Sequence, residues 1–322
     1  MTLITADPVA AATALAAGAL AALPTETVYG LGALATCEPA VARVFRIKGR
    51  PPTHPVIVHV REPQDLARWV QHVPASAELL VEAFWPGPLT IVLNRREDVS
   101  DAVTGGQSTV AVRAPAHPMF REVLRLLAHD AGPGVGIAAP SANRFGQVSP
   151  TTAQHVQTEL GDRLRVGRDV ILDGGRCAVG LESTIVIWTA EGWTIAREGG
   201  ITREQIVRVV QVRPDAPTDV RVPGTLDTHY APRARVMVCE SLDQVDPDRL
   251  PSPVGLLASS DIPTPTEWVR LAAPATIDDY ARQLFSALRR ADELSLITVV
   301  AVLPASAGLG AAIRDRLGRA AR

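Results

Sequence analysis

An α/β fold with a twisted mixed sheet and flanking helices, followed by a second, smaller α/β unit, is what this sequence predicts. Three observations carry that reading. Apolar runs of strand length, several of them β-branched and bounded by Gly or Pro, alternate with helical stretches. The 322 residues are enough for two domains at about 100–200 residues each. Residues 211–233 lose periodicity under Pro214, Pro217, Pro223, Gly224 and Pro232, as an interdomain linker does. The predicted divisions are therefore residues 1–210, the linker 211–233, and 234–322.

The elements follow in order. Asp7 and Pro8 announce the first helix, Pro8–Ala17, as cap and first-turn proline. Residues 8–23 are apolar and Ala-rich, but no basic residue precedes them and Ala is weakly apolar. They read as a helix of a folded domain, not as a signal peptide or a membrane span. Strands are predicted at Ala19–Leu23, Pro55–Val60, Leu89–Leu93, Val110–Arg113, Val135–Ala139, Val170–Leu172, Ser183–Trp188 and Trp193–Arg197. Glu191-Gly192 joins the last two as a hairpin. Helices are predicted at Pro39–Ile47, Ala75–Ala83, Pro118–His129, Thr152–Leu160 and Arg203–Val210. Beyond the linker come strands Arg235–Cys239, Val254–Ala258 and Leu296–Leu303 and helices Ile277–Ala291 and Ala311–Ala320, Rossmann-like in outline. No GxGxxG turn occurs there, so nucleotide binding by the second unit has no support.

Composition narrows the function. A formal net charge of -2 argues against a strongly basic nucleic-acid coat, although RNA contact through one local patch stays open. Cys37, Cys177 and Cys239 are scattered and form no CxxC pair, which argues against a disulfide scaffold or zinc cluster and for a reducing cytoplasm. Lys48 is the sole lysine against 31 arginines. Where a surface charge serves, this chain uses Arg. Its one Lys is either a chance survivor or fills a role that needs a compact ammonium.

Several polar clusters interrupt strand ends, where open α/β sheets place their ligand sites. Pro24-Thr25-Glu26-Thr27-Val28-Tyr29-Gly30-Leu31-Gly32 packs two hydroxyls and a carboxylate after a strand, more than a structural turn requires. Lys48-Gly49-Arg50, followed by His54 and His59, sits at a helix end. Cations there suit the helix dipole, or they form a phosphate clamp with Lys as point charge and Arg as fork. Phe84-Trp85-Pro86-Gly87-Pro88 reads mainly as architecture. In the run from Ser108 and Thr109 to Pro115, Arg113 closes a strand. A buried guanidinium needs an anion, either a substrate carboxylate or a structural salt bridge. Ala139-Pro140-Ser141-Ala142-Asn143 continues to Ser149-Pro150-Thr151-Thr152. Ser149 or Thr151 can cap the next helix, but Ser141 and Asn143 have no such role and suit phosphate oxygens or a metal-bound water. Gly180-Leu181-Glu182-Ser183 and Arg197-Glu198-Gly199-Gly200 complete the set. GxxxxGK[ST], HExxH and GxSxG are all absent. Cationic forks, hydroxyls and amides without a nucleophile suit phosphoryl or nucleotidyl transfer, where positioning and charge neutralisation do most of the catalysis.

Seven ordered segments resemble the YrdC-like family, specifically its long two-domain threonylcarbamoyl-AMP synthases: PTETVYGLG, KGRPPTHPVIVHV, FWPGPLTIVL, VAVRAP, PSAN with SPTT, LESTIV and REGGI, with PGTLDTHYAP in the linker. The resemblance spans about residues 8–202. It implies a nucleotidyltransferase that makes threonylcarbamoyl-AMP and pyrophosphate from L-threonine, bicarbonate and ATP with Mg²⁺, for t6A modification of tRNA, handing its product to downstream transfer proteins. By motif it implies Lys48, Arg50, Ser141 and Asn143 as a catalytic constellation around ATP. His54, Thr109, Ser149, Arg197 and Tyr230 would join Arg50 and Ser141 on the nucleotide. Thr27, His59, Arg113, the Ala139 backbone and Ser183 would hold threonine. His54 stands where the family usually has Asn, Thr225-Leu226-Asp227-Thr228 where relatives often carry Met-Lys-Tyr-Arg, and Glu198 at a common Pro. The alternatives are a YrdC-like RNA-binding module without adenylate synthesis, and a carbamoyltransferase of hydrogenase maturation, which should carry zinc-binding cysteines.

Overall fold

The computed structural model describes residues 3–213, 219–224 and 230–322. Pro214, Pro217 and Thr225 to Thr228 of the expected linker lie outside the described residues. The chain begins as its cap dictates: the Asp7 carboxylate accepts the Val9 N–H at 2.9 Å, with Pro8 in the first turn. The elements of the first unit are β1 (Ile4–Thr5), α1 (Pro8–Ala16), β2 (Ala21–Leu23), β3 (Gly30–Leu34), α2 (Glu38–Lys48), β4 (Ile57–His59), α3 (Ala75–Phe84), β5 (Leu89–Asn94), α4 (Asp101–Thr104), β6 (Thr109–Arg113), α5 (Pro118–Ala131), β7 (Ile137–Ala138), α6 (Ala153–Leu160), β8 (Val170–Leu172), β9 (Thr184–Thr189), β10 (Gly192–Arg197) and α7 (Arg203–Val207). Their strands form one mixed sheet in the order β1-β8-β2-β3-β7-β4-β6-β5-β9-β10. The β9–β10 hairpin turns at Gly192 with φ of 115°, a conformation glycine adopts without strain.

The second unit holds β11 (Arg235–Cys239), β12 (Val254–Leu257), β13 (Val269–Ala272), α8 (Ile277–Glu293), β14 (Thr298–Val302) and α9 (Leu309–Ala320). Its four strands are parallel, in the order β11-β14-β12-β13. Alternation along β14 separates the two faces. Val299 and Ala301 pack with Leu284, Leu288, Ile313 and Leu317 of α8 and α9. Val300 and Val302 pack with Leu242, Leu250, Ile262 and Trp268 from the connecting loops.

Three strands escaped the sequence reading. β3, Gly-Leu-Gly-Ala-Leu, carries no strand pattern because its glycines interrupt it. A Cβ at Gly32 would stand 2.8 Å from Ile137 Cγ2 and 3.1 Å from the Ala21 carbonyl, so the sheet has room only for glycine there. β1 has two residues, and β13 holds an Arg amid its apolar run. Among the described residues no helix is long and apolar enough to cross a membrane.

Candidate active site

A cavity opens at the rim of the large sheet, beneath the described linker residues Pro223 and Gly224. It encloses about 570 Å³, part of it open to solvent. Thr27, Arg50, His59, Arg113, Ala139, Ser141, Ser183, Arg197 and Tyr230, all expected from the sequence, line it. A larger groove along α1 holds none of them, and Arg43 and Asp169 on its wall are paired with each other.

Strand register explains the convergence. β4 runs parallel to β6 with His59 beside Arg113, so both side chains leave the same face of the sheet. Two residues back, Ala111 shares that face, with Thr109 two further. Ile57, Val92, Ala111, Ile185 and Ile187 make an apolar patch there, and Val222 of the linker packs on it. His59 is buried, its Nδ1 3.3 Å from the Ile137 carbonyl. Burial, and then the Arg113 guanidinium, push its pKa down to about 3, so the ring is neutral at physiological pH.

Arg113 is 3 % exposed. Its Nε donates to the Gly87 carbonyl at 3.1 Å and its Nη1 to Thr27 Oγ1 at 2.9 Å. Nη2 lies 2.6 Å from Glu26 Oε1 in an ion pair. Glu26 is thus the anion that the strand-end arginine required, and its other oxygen accepts the Ala116 N–H at 3.1 Å. Nε and one Nη1 donor bond protein groups, while Nη2 is ion-paired with Glu26 without a hydrogen bond, so donors of the guanidinium remain for a ligand. Thr25 shapes the turn: its Oγ1 accepts the N–H groups of Thr27 and Val28 at 3.0 and 3.1 Å and lies 2.7 Å from Thr27 Oγ1. The two threonines and the glutamate hold one arginine in place.

On the opposite side, α2 stops at Gly49, whose φ is 66°. The Lys48 ammonium is 3 % exposed and donates to the carbonyls of Ser141 and Asn143. Phe145 N–H returns a bond to the Lys48 carbonyl at 2.8 Å. Burial, then the neighbouring Arg50 charge, lower the Lys48 pKa well below that of an ordinary lysine. The ammonium therefore lies under the serine–asparagine loop and stays off the cavity wall. Of the two cations expected as a clamp, Arg50 lines the cavity and Lys48 bonds the loop beside it. Its Nη2 donates to the Pro55 carbonyl at 2.9 Å, while its buried Nε has no hydrogen-bond partner. The Asn143 amide nitrogen donates to the carbonyls of Arg144 and Gln147 at 2.7 and 2.8 Å, and its buried Oδ1 has no partner.

Of the remaining expected residues, Ser149, Thr109 and His54 are not part of the cavity lining, whereas Arg197 and Tyr230 are. Ser149 is fully buried and donates to Glu182 Oε1 at 2.7 Å. Thr109 begins β6, four residues from Arg113. His54 packs edge-on against Phe145, ring centroids 5.6 Å apart. Arg197 donates twice to the Ser183 carbonyl, at 3.1 and 2.7 Å, and once to the Pro223 carbonyl at 2.8 Å. It ties the linker to the strand end. Tyr230 is buried with φ of 63°, its ring stacked on Phe285 of α8 at 5.4 Å.

The sequence places Glu26 and Glu182 inside polar clusters without a separate role for either, and it singles out neither Arg289 nor Arg316. Glu182 lines the cavity, and Arg316, on α9, donates from Nε to its Oε2 at 3.0 Å. The available signal was a charge on an apolar stripe. Arg316 sits with Ile313, Leu317 and Ala320, and Arg289 with Phe285 and Leu288, all buried.

Comparisons with known proteins place the chain in a family. A family model described as telomere recombination matches residues 13–199, and one described as threonylcarbamoyl-AMP synthase, C-terminal domain, matches residues 201–322. A threonylcarbamoyl-AMP synthase of Pyrococcus abyssi is 36 % identical over 94 % of this chain and 90 % of its own length. One of Bacillus subtilis is 36 % identical over 97 % of this chain and 92 % of its own. The crystal structure of P. abyssi Sua5 complexed with L-threonine superposes with a TM-score of 0.85 at 37 % identity, covering 97 % of this chain and 93 % of that one. With both family models matched end to end and relatives aligned over nearly the whole length, this chain belongs to the two-domain threonylcarbamoyl-AMP synthase family.

Proposed function

We propose that this chain is an L-threonylcarbamoyladenylate synthase, a nucleotidyltransferase that converts L-threonine, bicarbonate and ATP into threonylcarbamoyl-AMP and pyrophosphate. The observation that carries this reading is the pairing of two unlike cations in one cavity. Both line it: Arg113 keeps donors for a carboxylate, and Arg50 carries a buried Nε without a hydrogen-bond partner, on the side assigned to phosphate. The names of the Pyrococcus and Bacillus relatives, and the threonine in the Pyrococcus structure, support the same substrate.

In this reading Arg113 forks the threonine carboxylate, a strong bidentate arrangement. Thr27, Ser183, the neutral His59 ring and the Ala139 backbone surround the rest of the amino acid. The threonine amine captures bicarbonate with loss of water, and the resulting carbamate oxygen attacks the α-phosphorus as pyrophosphate leaves. Arg50, Ser141 and Arg197 neutralise and orient the phosphates, and such positioning supplies most of the acceleration in phosphoryl chemistry. Lys48 and Asn143 hold the loop that presents Ser141. Thr109, His54, Ser149 and Tyr230 form the nucleotide side, with the apolar patch around Ala111 suited to a base. Mg²⁺ enters as part of the nucleotide substrate. Among the described residues no cluster of three or more His, Cys, Asp or Glu could hold it independently, and Asn143 Oδ1, buried without a partner, suits a magnesium-bound water. Downstream proteins would carry the threonylcarbamoyl group to tRNA.

The decisive test is pyrophosphate release from ATP with threonine and bicarbonate supplied singly and together. Release is expected only with both. Release that ignores threonine would remove the substrate assignment.

A further inference from the structure

The second unit grips the cavity wall with two buried arginines. Arg289 of α8 donates to the carbonyls of Val148 and Ser149 and pairs with Glu159 at 3.1 Å. Arg316 of α9, wholly buried, donates to Glu182 at 3.0 Å and to the Glu198 carbonyl at 2.8 Å, and its guanidinium lies 5.4 Å from the Tyr230 ring centroid. Ser149 is thus held at its carbonyl by one helix and, through Glu182, at its hydroxyl by the other.

Glu182 is the puzzle in this arrangement. It lines the same cavity as Arg50, Ser141 and Arg197, the side chains assigned above to the phosphates. A bare carboxylate there would repel a polyphosphate, and burial would magnify the repulsion by removing solvent screening. We propose that Arg316 is a positioning residue through which the C-terminal unit controls nucleotide binding: it neutralises Glu182 and keeps that carboxylate turned to Ser149, so the phosphate wall stays net positive. This inference rests on the reaction proposed above.

The groups facing Glu182 are Arg316 and Asp315 from α9, Arg197 from β10, Tyr230 from the linker and Ser149 from the loop. Burial raises the Glu182 pKa, but Arg316, then Arg197 and the Ser149 hydroxyl, hold it below the usual carboxylate value. Asp315 draws part of the Arg316 charge, being 2.6 Å from Nη1. Without Arg316 the Glu182 pKa rises. The carboxylate then ionises, and repels nucleotide, only as pH climbs through that raised value.

The experiment uses the full chain and four variants: Arg316→Met, Arg316→Lys, Glu182→Gln and Arg316→Met/Glu182→Gln. ATP and threonine KM and kcat are measured from pH 6 to 9, with ATP affinity by calorimetry as a readout independent of turnover. Arg316→Met should raise the ATP KM about ten-fold or more, increasingly toward high pH, while the threonine KM moves by less than about two-fold. Removing the Glu182 charge in the double variant should bring ATP affinity most of the way back and flatten the pH dependence. Arg316→Lys, which keeps a positive charge, should retain most of the affinity. A double variant as impaired as Arg316→Met, an Arg316→Lys variant equally impaired, or a loss shared by ATP and threonine without pH dependence would overturn the proposal. The reaction itself has a separate failure: a wild-type chain that releases no threonine-dependent pyrophosphate.

Discussion

Two buried arginine–carboxylate pairs border the cavity, and they differ in what their arginines have left to offer. Arg113 meets Glu26 inside the first unit, with the glutamate side chain 11 % exposed. Arg113 itself lines the cavity. Arg316 meets Glu182 across the seam between units, itself 0 % exposed, with Asp315, the Glu198 carbonyl and the Tyr230 ring closing round it. The first arginine is open to a ligand and the second is enclosed, with only its Glu182 partner on the cavity wall. A buried guanidinium is therefore a substrate group or a brace according to how many of its five donors the fold already occupies.

The sharpest way to break the comparison is Arg113→Ala. Loss of a desolvated fork should cost about 2–5 kcal/mol of threonine binding, read by titration calorimetry. Unchanged affinity would make Arg113 a brace like Arg316. Glu26→Gln sharpens it further. The ligand-free protein should lose about 2 kcal/mol because Arg113 loses its buried anion, and threonine should restore more melting temperature than it adds to the wild type. In Glu182→Gln, threonine should restore nothing beyond its wild-type effect. Equal rescue in both variants would erase the distinction. The smallest effect is expected at Lys48→Arg, about 1 kcal/mol of stability with slower turnover, because a planar guanidinium does not fit the space that one ammonium fills against two carbonyls. Wild-type rates and stability would return Lys48 to a chance survivor.

The large elements and most of the cavity lining were legible because they leave local traces. β-branched runs marked the strands, Asp7 and Gly192 marked an end and a turn, and clusters at strand ends marked the site. What stayed hidden depends on distant contacts. β3 was invisible because Gly30 and Gly32 are chosen by the closeness of the neighbouring strand and carry no strand pattern of their own. Glu26 appeared only as part of a crowded turn, since its partner is 87 residues away in the chain and pairs with it only once β6 is in the sheet. Arg316 lies 134 residues from Glu182, and only its intrusion on an apolar helix face hinted at a buried anion. Scarcity draws attention to Lys48 but says nothing about direction, and its ammonium is engaged with the Ser141 and Asn143 carbonyls.

That buried ammonium has a chemical corollary. Because the sequence has no second lysine, every exposed basic side chain other than histidine is a guanidinium. Reagents and modifying enzymes that act on lysine amines, such as succinimidyl esters, acetyl donors and isopeptide ligases, would meet a single side-chain amine, desolvated and engaged to two carbonyls. The surface of this protein is close to inert toward acylation at side-chain nitrogen.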